Sequence, residues 1–134
     1  MPALSRLKRR LALQPVRRKQ VGDCVFCRIV KGEIPSVKVY EDDMVLAFDD
    51  ISPAAPVHVV IIPKRHIPTL VDVRLEEWPH VNAMVAAAPH VARLKGVDQR
   101  GFRTVINCQQ EGGQVVFHLH MHLLGGRIMG NKLG

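Results

Sequence analysis

Residues His118-Leu119-His120-Met121-His122 alternate an imidazole with an apolar side chain. In a β-strand this period of two sends all three rings to one face and Leu119 and Met121 to the other. Such a strand must lie at a boundary, with core on one side and a polar site on the other. Same-face neighbours on a strand sit about 6 to 7 Å apart, so His120 is flanked on both sides and can be held or assisted while one substrate atom approaches. An imidazole titrates near neutrality and can attack an electrophile, pass a proton or bind a metal, and the spacing alone leaves all three open. Val115, Val116, Phe117, Leu123 and Leu124 extend the pattern to a strand over 115–124. The glycine pair Gly112-Gly113 before Gln114 permits tight curvature whose N–H groups can converge on an anion such as phosphate. Gly125-Gly126 close the strand. The competing reading is an ordinary core strand whose histidines only face solvent.

A chain of 134 residues that is 47% apolar fits one domain with a real core, and with only four Phe, one Tyr and one Trp that core is mostly aliphatic. The net charge of +7 resembles a nucleic-acid signal until it is located. Arg6, Lys8, Arg9, Arg10, Arg17, Arg18 and Lys19 all fall in an acid-free extension over residues 1–20, and the remainder carries equal numbers of acidic and basic side chains. The expected organisation is therefore a disordered basic extension, 1–20, followed by a single domain, 21–134. The extension reads as a basic arm or an upstream segment of little consequence ahead of an organellar targeting peptide. No window approaches the ~20 apolar residues of a membrane span, and no secretory apolar region is seen. A cytoplasmic protein is expected. Three cysteines, two of them in the pair Cys24-x-x-Cys27, form no disulfide framework and raise metal or redox use instead.

Along the chain, Asp23 can cap a helix over Cys24–Lys31 that Gly32 stops. Val37–Tyr40 and Met44–Phe48 flank an acidic turn as a hairpin, and His58–Ile62 is an apolar strand ended by Pro63. Leu75, Trp78, Val81, Val85, Ala88 and Ala92 predict an amphipathic helix over 75–94, capped by Asp72, stopped by Gly96, and kinked or split by Pro89. Gly101–Asn107 and 115–124 supply the last strands. The expectation is an α+β fold: about five antiparallel strands, one long helix and a short N-terminal helix.

The segments Cys24-Val-Phe-Cys27, Ala47-Phe-Asp-Asp-Ile-Ser-Pro53, Ala55-Pro-Val-His58, Ile62-Pro-Lys-Arg-His66-Ile67, Gly112-Gly-Gln114 and His118-Leu-His-Met-His122 together resemble the histidine triad family, specifically its Hint branch. Several short motifs coincide in order and spacing over residues 23–128. The resemblance implies a nucleoside phosphoramidase or nucleotide hydrolase that releases AMP or GMP. His120 would attack the α-phosphorus and form a nucleotidyl-histidine that water resolves. It implies that His122, His118 and His58 support the nucleophile, with His122 helping the departing amine take a proton. Asp50 would accept from the ribose hydroxyls, Phe26, Ile29, Phe48 and Ile51 would surround the base, and Asn107, Gly113, Gln114 and the residue at 115 would lie at the phosphate. From composition alone the four apolar residues are ordinary core. The family usually has Ser or Thr after Gly-Gly-Gln, where this chain has Val115; losing one such donor can cost roughly 10²- to 10³-fold in rate.

Cys24, Cys27, His66 and His118 stand at the positions where zinc-bearing members of the family hold a structural metal, so Zn²⁺ is the cofactor implied. The family also pairs two sheets edge to edge, which implies a homodimer, although beyond Arg127 this chain departs from the tail of the eukaryotic Hint proteins. Two other readings of the same residues remain: hydrolysis of dinucleoside polyphosphates, and a catalytically weak nucleotide-binding or zinc-containing regulatory module. Nucleic-acid binding would rest on the extension alone, and the Cys and His spacings do not fit a zinc finger.

Overall fold

The computed structural model describes residues 23–133; the basic extension lies outside them. Helix α1 spans Val25–Val30. Strands β1 (Lys38–Glu41), β2 (Val45–Asp49) and β3 (Val57–Pro63) follow. After 3-10 turns at Leu70–Asp72 and Leu75–Glu77 come the long helix α2 (Trp78–Leu94), β4 (Phe102–Val105) and β5 (Met121–Gly125). The strands form one sheet in the order β1-β2-β3-β5-β4, antiparallel throughout. The α+β class and the five strands agree with the sequence reading. Among the described residues no helix is long and apolar enough to cross a membrane.

Alternation along the central strands builds two cores. Val45 and Ala47 of β2, Val59 and Ile61 of β3, and Met121 and Leu123 of β5 pack against Val81, Met84, Ala88 and Val91 of α2. Leu46, Phe48, Val60 and Ile62 point to the opposite face, where Ile29 and the partly buried Phe26 and Val30 of α1 cover them. The central strands are thus apolar on both faces, as fully covered strands are, and the histidines share the smaller, α1 side.

Several local expectations are corrected. Cys24, and not Asp23, caps α1, its Sγ accepting from Cys27 N–H. The long helix begins three residues late because Leu75 sits in the preceding 3-10 turn. The buried stripe therefore runs through Val81, Met84, Ala87, Ala88, Val91 and Ala92, while Leu75, Trp78 and Val85 are exposed. Asp72 lies in the earlier turn rather than at the helix cap. Pro89 neither splits nor ends α2. It is exposed, and the carbonyl freed by its missing N–H belongs to Val85, on the wet side where water can satisfy it.

The most consequential correction concerns 115–124, of which only Met121–Gly125 is strand. The neighbouring ladder runs out: β3 ends at Pro63, and the register with β5 begins at the pair Ile61 and Met121. Residues 114–120 are held instead by the arm that follows β3, with Leu119 N–H donating to Ile67 O at 2.6 Å.

Candidate active site

Single hydrogen bonds to the backbone settle the chemical state of each ring. His118 Nε2 lies 2.7 Å from Pro63 O. A carbonyl can only accept, so the ring carries its proton on Nε2 and presents a lone pair at Nδ1. His120 has the opposite arrangement, because Nδ1 donates to the carbonyl of His118 at 2.7 Å and Nε2 is left as the lone pair. Burial depresses the pKa of His120 and outweighs the contrary effects of that carbonyl and of Asp50, so the neutral form is favoured. The ring is 6% exposed and meets Phe26 edge-on, with centroids 5.2 Å apart.

His58 is fixed from the other side. Ala54 N–H donates to its Nδ1 at 3.0 Å, so the neutral ring must carry its proton on Nε2. That Nε2–H reaches His122 Nδ1 at 2.9 Å and faces Asp50 Oδ2 at 3.5 Å. His122 consequently accepts at Nδ1 and carries a proton on Nε2. Its pKa is lowered to about 4, first by burial and then by the neighbouring His120 and His58. Asp50 is anchored by Ser52 N–H, which donates to Oδ1 at 2.7 Å. Asp50, His58 and His122 also lie close enough together to suggest a cation site. The Ala54 N–H argues against one, since it occupies the lone pair His58 would otherwise offer and leaves a proton on the nitrogen facing the cluster.

On the opposite side of His120, the donor atoms of Cys24, Cys27, His66 and His118 lie within 4.8 Å of one another. The contacts are Cys24 Sγ to His118 Nδ1 at 3.3 Å, Cys27 Sγ to His66 Nδ1 at 3.3 Å, Cys27 Sγ to His118 Nδ1 at 3.6 Å and His66 Nδ1 to His118 Nδ1 at 3.3 Å. A tetrahedral zinc ion would set nitrogen–nitrogen edges of about 3.3 Å and sulfur–nitrogen edges of about 3.6 Å from its usual bond lengths, so the residues fit the ion. Burial and the neighbouring Cys24 thiol push Cys27 up to about 12, a cost that a divalent cation would offset. Burial also holds His118 neutral, with a pKa of about 4, the form that ligates. Its Nε2–H on Pro63 O is the kind of outer bond that orients ligating histidines.

The remaining expected residues are distributed around this centre. Phe26, Ile29 and Phe48 belong to the core under α1, Phe26 contacting Phe48 edge-on at 5.5 Å. Ile51 is 98% exposed beside Asp50, and Val115 is 85% exposed, so neither takes part in the core. Asn107 is half-buried just beyond β4. Gly113 adopts φ +83, and a Cβ at Gly112 would stand 2.4 Å from Cys108 O, so the turn requires both glycines. The N–H groups expected to meet phosphate are engaged within the loop: Gly113 donates to Gln110 O and Gln114 to Gln109 O, each at 3.0 Å. The Gln114 side chain is likewise committed, donating to Pro68 O and Val116 O and accepting from Gln109 N–H. The groups missed by sequence reasoning are backbone ones, Ala54 N–H, Pro63 O and His118 O, for which a sequence carries no residue-type signal. Arg65 was also missed; its Nε donates to the fully buried Glu77 at 2.7 Å and ties the His66 arm to the start of α2.

The profile of the HIT domain matches residues 31–129. The purine nucleoside phosphoramidase of Escherichia coli (strain K12) is 46% identical over 111 residues, covering 83% of this chain and 93% of that protein. A HIT family hydrolase from Clostridium thermocellum superimposes with a TM-score of 0.80 at 48% identity, over 83% of this chain and 96% of that one. A histidine triad protein from Clostridium difficile does so with a TM-score of 0.79, also at 48% identity and over the same shares.

Proposed function

The chain belongs to the HIT domain family, and from that premise we propose that it is a nucleotide hydrolase acting as a purine nucleoside phosphoramidase. The observation that carries the reading is the bond from His120 Nδ1 to His118 O, which turns the Nε2 lone pair of a buried, neutral ring toward the site. Such a ring can attack phosphorus without first losing a proton. The Nε2–P bond forms as the P–N bond of the phosphoramidate breaks, and the departing nitrogen, hydrogen-bonded by His122 Nε2–H, takes its proton from a water molecule. The hydroxide so formed attacks the nucleotidyl-histidine, and His120 leaves with its electron pair as the neutral imidazole. His58 and Asp50 hold His122 in the state that presents this N–H. Ile51 and Phe26 flank the base and Asp50 receives the ribose hydroxyls.

Cys24, Cys27, His66 and His118 hold Zn²⁺ in this reading. A metal so enclosed supplies structural cross-linking rather than an open coordination position. We further propose a homodimer. β4 is an edge strand, and beside it lies a cleft of about 570 Å³ lined by Arg100, Phe102, Arg103 and Met129, a surface on which a second copy could extend the sheet. Light scattering that returned the monomer mass at all working concentrations would remove this last element alone.

The test of the activity is intact-mass spectrometry of the protein mixed with an adenosine phosphoramidate, with AMP release followed in the same samples. Wild type should release AMP through a transient adenylyl adduct. His120→Ala should form no adduct and lose about 10⁴-fold or more of the rate. Nucleotide binding with neither adduct nor release would replace the hydrolase with a nucleotide-binding module.

A further inference from the structure

Gln114 lies directly after the glycine pair, where a phosphate ligand was expected, yet it is 5% exposed and every polar atom of its side chain is occupied. Oε1 accepts from Gln109 N–H at 2.9 Å, while Nε2 donates to Pro68 O at 2.8 Å and to Val116 O at 3.0 Å. A primary amide has two N–H donors, so none remains for a phosphoryl oxygen. Its partners belong to three different pieces of chain: the 108–113 loop, the arm that follows β3, and the segment that carries the nucleophile.

We propose that Gln114 is a positioning residue that clamps the nucleophile segment 114–120 to the Pro63–Pro68 arm, rather than a ligand of the phosphate. The inference rests on His120 being the nucleophile. It follows from how little else holds that segment. Residues 115–120 lie before β5 and outside the ladder. Besides the contacts of His118 Nδ1 with Cys24, Cys27 and His66, the hydrogen bonds tying 114–120 to the rest of the fold run largely to one arm: Gln114 Nε2 to Pro68 O, Leu119 N–H to Ile67 O, and His118 Nε2 to Pro63 O. The orientation of His120 is set by the carbonyl of His118, and so by the path of this same segment. Gln114 also holds Gln109 from both sides, through Oε1 to its N–H and through its own N–H to its carbonyl. Gln109 has φ 65, an uncommon conformation for a residue with a side chain that surrounding bonds must sustain. Of these tethers, Gln114 is the side chain that can be changed without touching a metal ligand or a triad histidine.

The experiment compares wild type with Gln114→Met, which keeps the size of the side chain and removes its hydrogen bonds, and Gln114→Glu, which keeps the acceptor and removes the donors. Backbone hydrogen exchange, kcat, KM and AMP affinity are measured for each protein at equal metal content. Positioning predicts at least about tenfold faster exchange in 115–120 with β2 and β3 unchanged, kcat lowered about 10- to 100-fold, and KM and AMP affinity within about threefold, since a misaligned nucleophile loses rate before binding. AMP affinity weakened tenfold or more with exchange unchanged would overturn the proposal and make Gln114 a phosphate ligand. Unchanged exchange together with unchanged kcat would overturn it too. The side-chain amide NMR signal of wild-type Gln114 decides the matter even if both variants fail to fold. It should stay in place on AMP binding if Gln114 positions and shift strongly if it binds phosphate. Wild type that exchanges as expected but turns over no phosphoramidate would instead refute the hydrolase reading, so the two failures remain distinct.

Discussion

Two histidine pairs flank His120, and they are built from the same residue type to opposite ends. His118 and His66 bring their Nδ1 atoms within 3.3 Å. Because His118 has placed its proton on Pro63 O, its Nδ1 faces the cluster as a lone pair beside two cysteine sulfurs. His58 and His122 approach to 2.9 Å, but there the Ala54 N–H has fixed a proton on the facing nitrogen, and the pair closes as an ordinary hydrogen bond. One backbone carbonyl leaves a lone pair facing three further donor atoms, and one backbone amide leaves an N–H facing the neighbouring ring. The chemistry of a histidine is thus assigned by the group behind it as much as by its neighbours in the site.

The largest separation of the two sides should come from removing the metal. Chelation, or Cys27→Ala, is expected to remove bound Zn²⁺ and lower folding stability on the order of 5 kcal/mol or more, because a closed site of this kind contributes its binding free energy to folding. Elemental analysis alongside thermal unfolding checks it. A chelated protein that melts with the holoprotein would show that the two pairs do not differ in this way. The reciprocal change, His122→Gln, should leave zinc content and melting temperature nearly untouched while lowering turnover by about 10²- to 10⁴-fold, the range for a group positioned at a proton transfer. If zinc were lost as well, the division between the pairs would be wrong.

A smaller effect probes what holds the metal side to α2. Glu77 is fully buried, accepts from Arg65 Nε at 2.7 Å and from Arg74 N–H at 3.0 Å, and so braces the arm carrying His66. Glu77→Gln should cost about 2 kcal/mol of stability, because it removes a charge-assisted bond inside the fold while Arg65 can still reach water. Denaturant unfolding measures this, and a stability change below about 0.5 kcal/mol would mean that Arg65 does not brace the arm.

The triad, the CxxC pair and the apolar runs of β2 and β3 were legible because each is a local spacing or an unbroken run that the backbone geometry converts directly into shared or doubly covered faces. The extent of the last strand was not. His118-to-His122 alternates as a strand would, but a strand needs a partner: the register that pairs Ile61 with Met121 leaves only Ile62 and Pro63 for residues 120 and 119, Pro63 has no N–H to give, and nothing of β3 lies opposite 115–118. The buried stripe of α2 was misjudged for a related reason. Leu75 and Trp78 fit the helical period, yet the helix starts only at Trp78 and the sheet meets it from Val81 onward. The bonds of Gln114 were not legible either, since its partners Pro68 O and Gln109 N–H come from the fold and leave no trace in residue type.

The smallest expected effect concerns protons on the relay side. Burial lowers the pKa of His122 to about 4 in the folded protein, below the ~6.5 of an unfolded histidine. Between these values the unfolded chain takes up a proton that the folded one refuses, so stability is full above about pH 6.5 and declines as pH falls toward 4, after which this residue adds no further slope. The ring is partly open to water, and screening makes the loss smaller than the full shift would imply. His122→Gln removes the titrating group and should flatten that limb of the stability profile measured by denaturant unfolding from pH 7 to pH 4. An identical slope in wild type and His122→Gln would place the refused proton elsewhere and remove the argument that the His58 contact, together with burial, keeps His122 neutral.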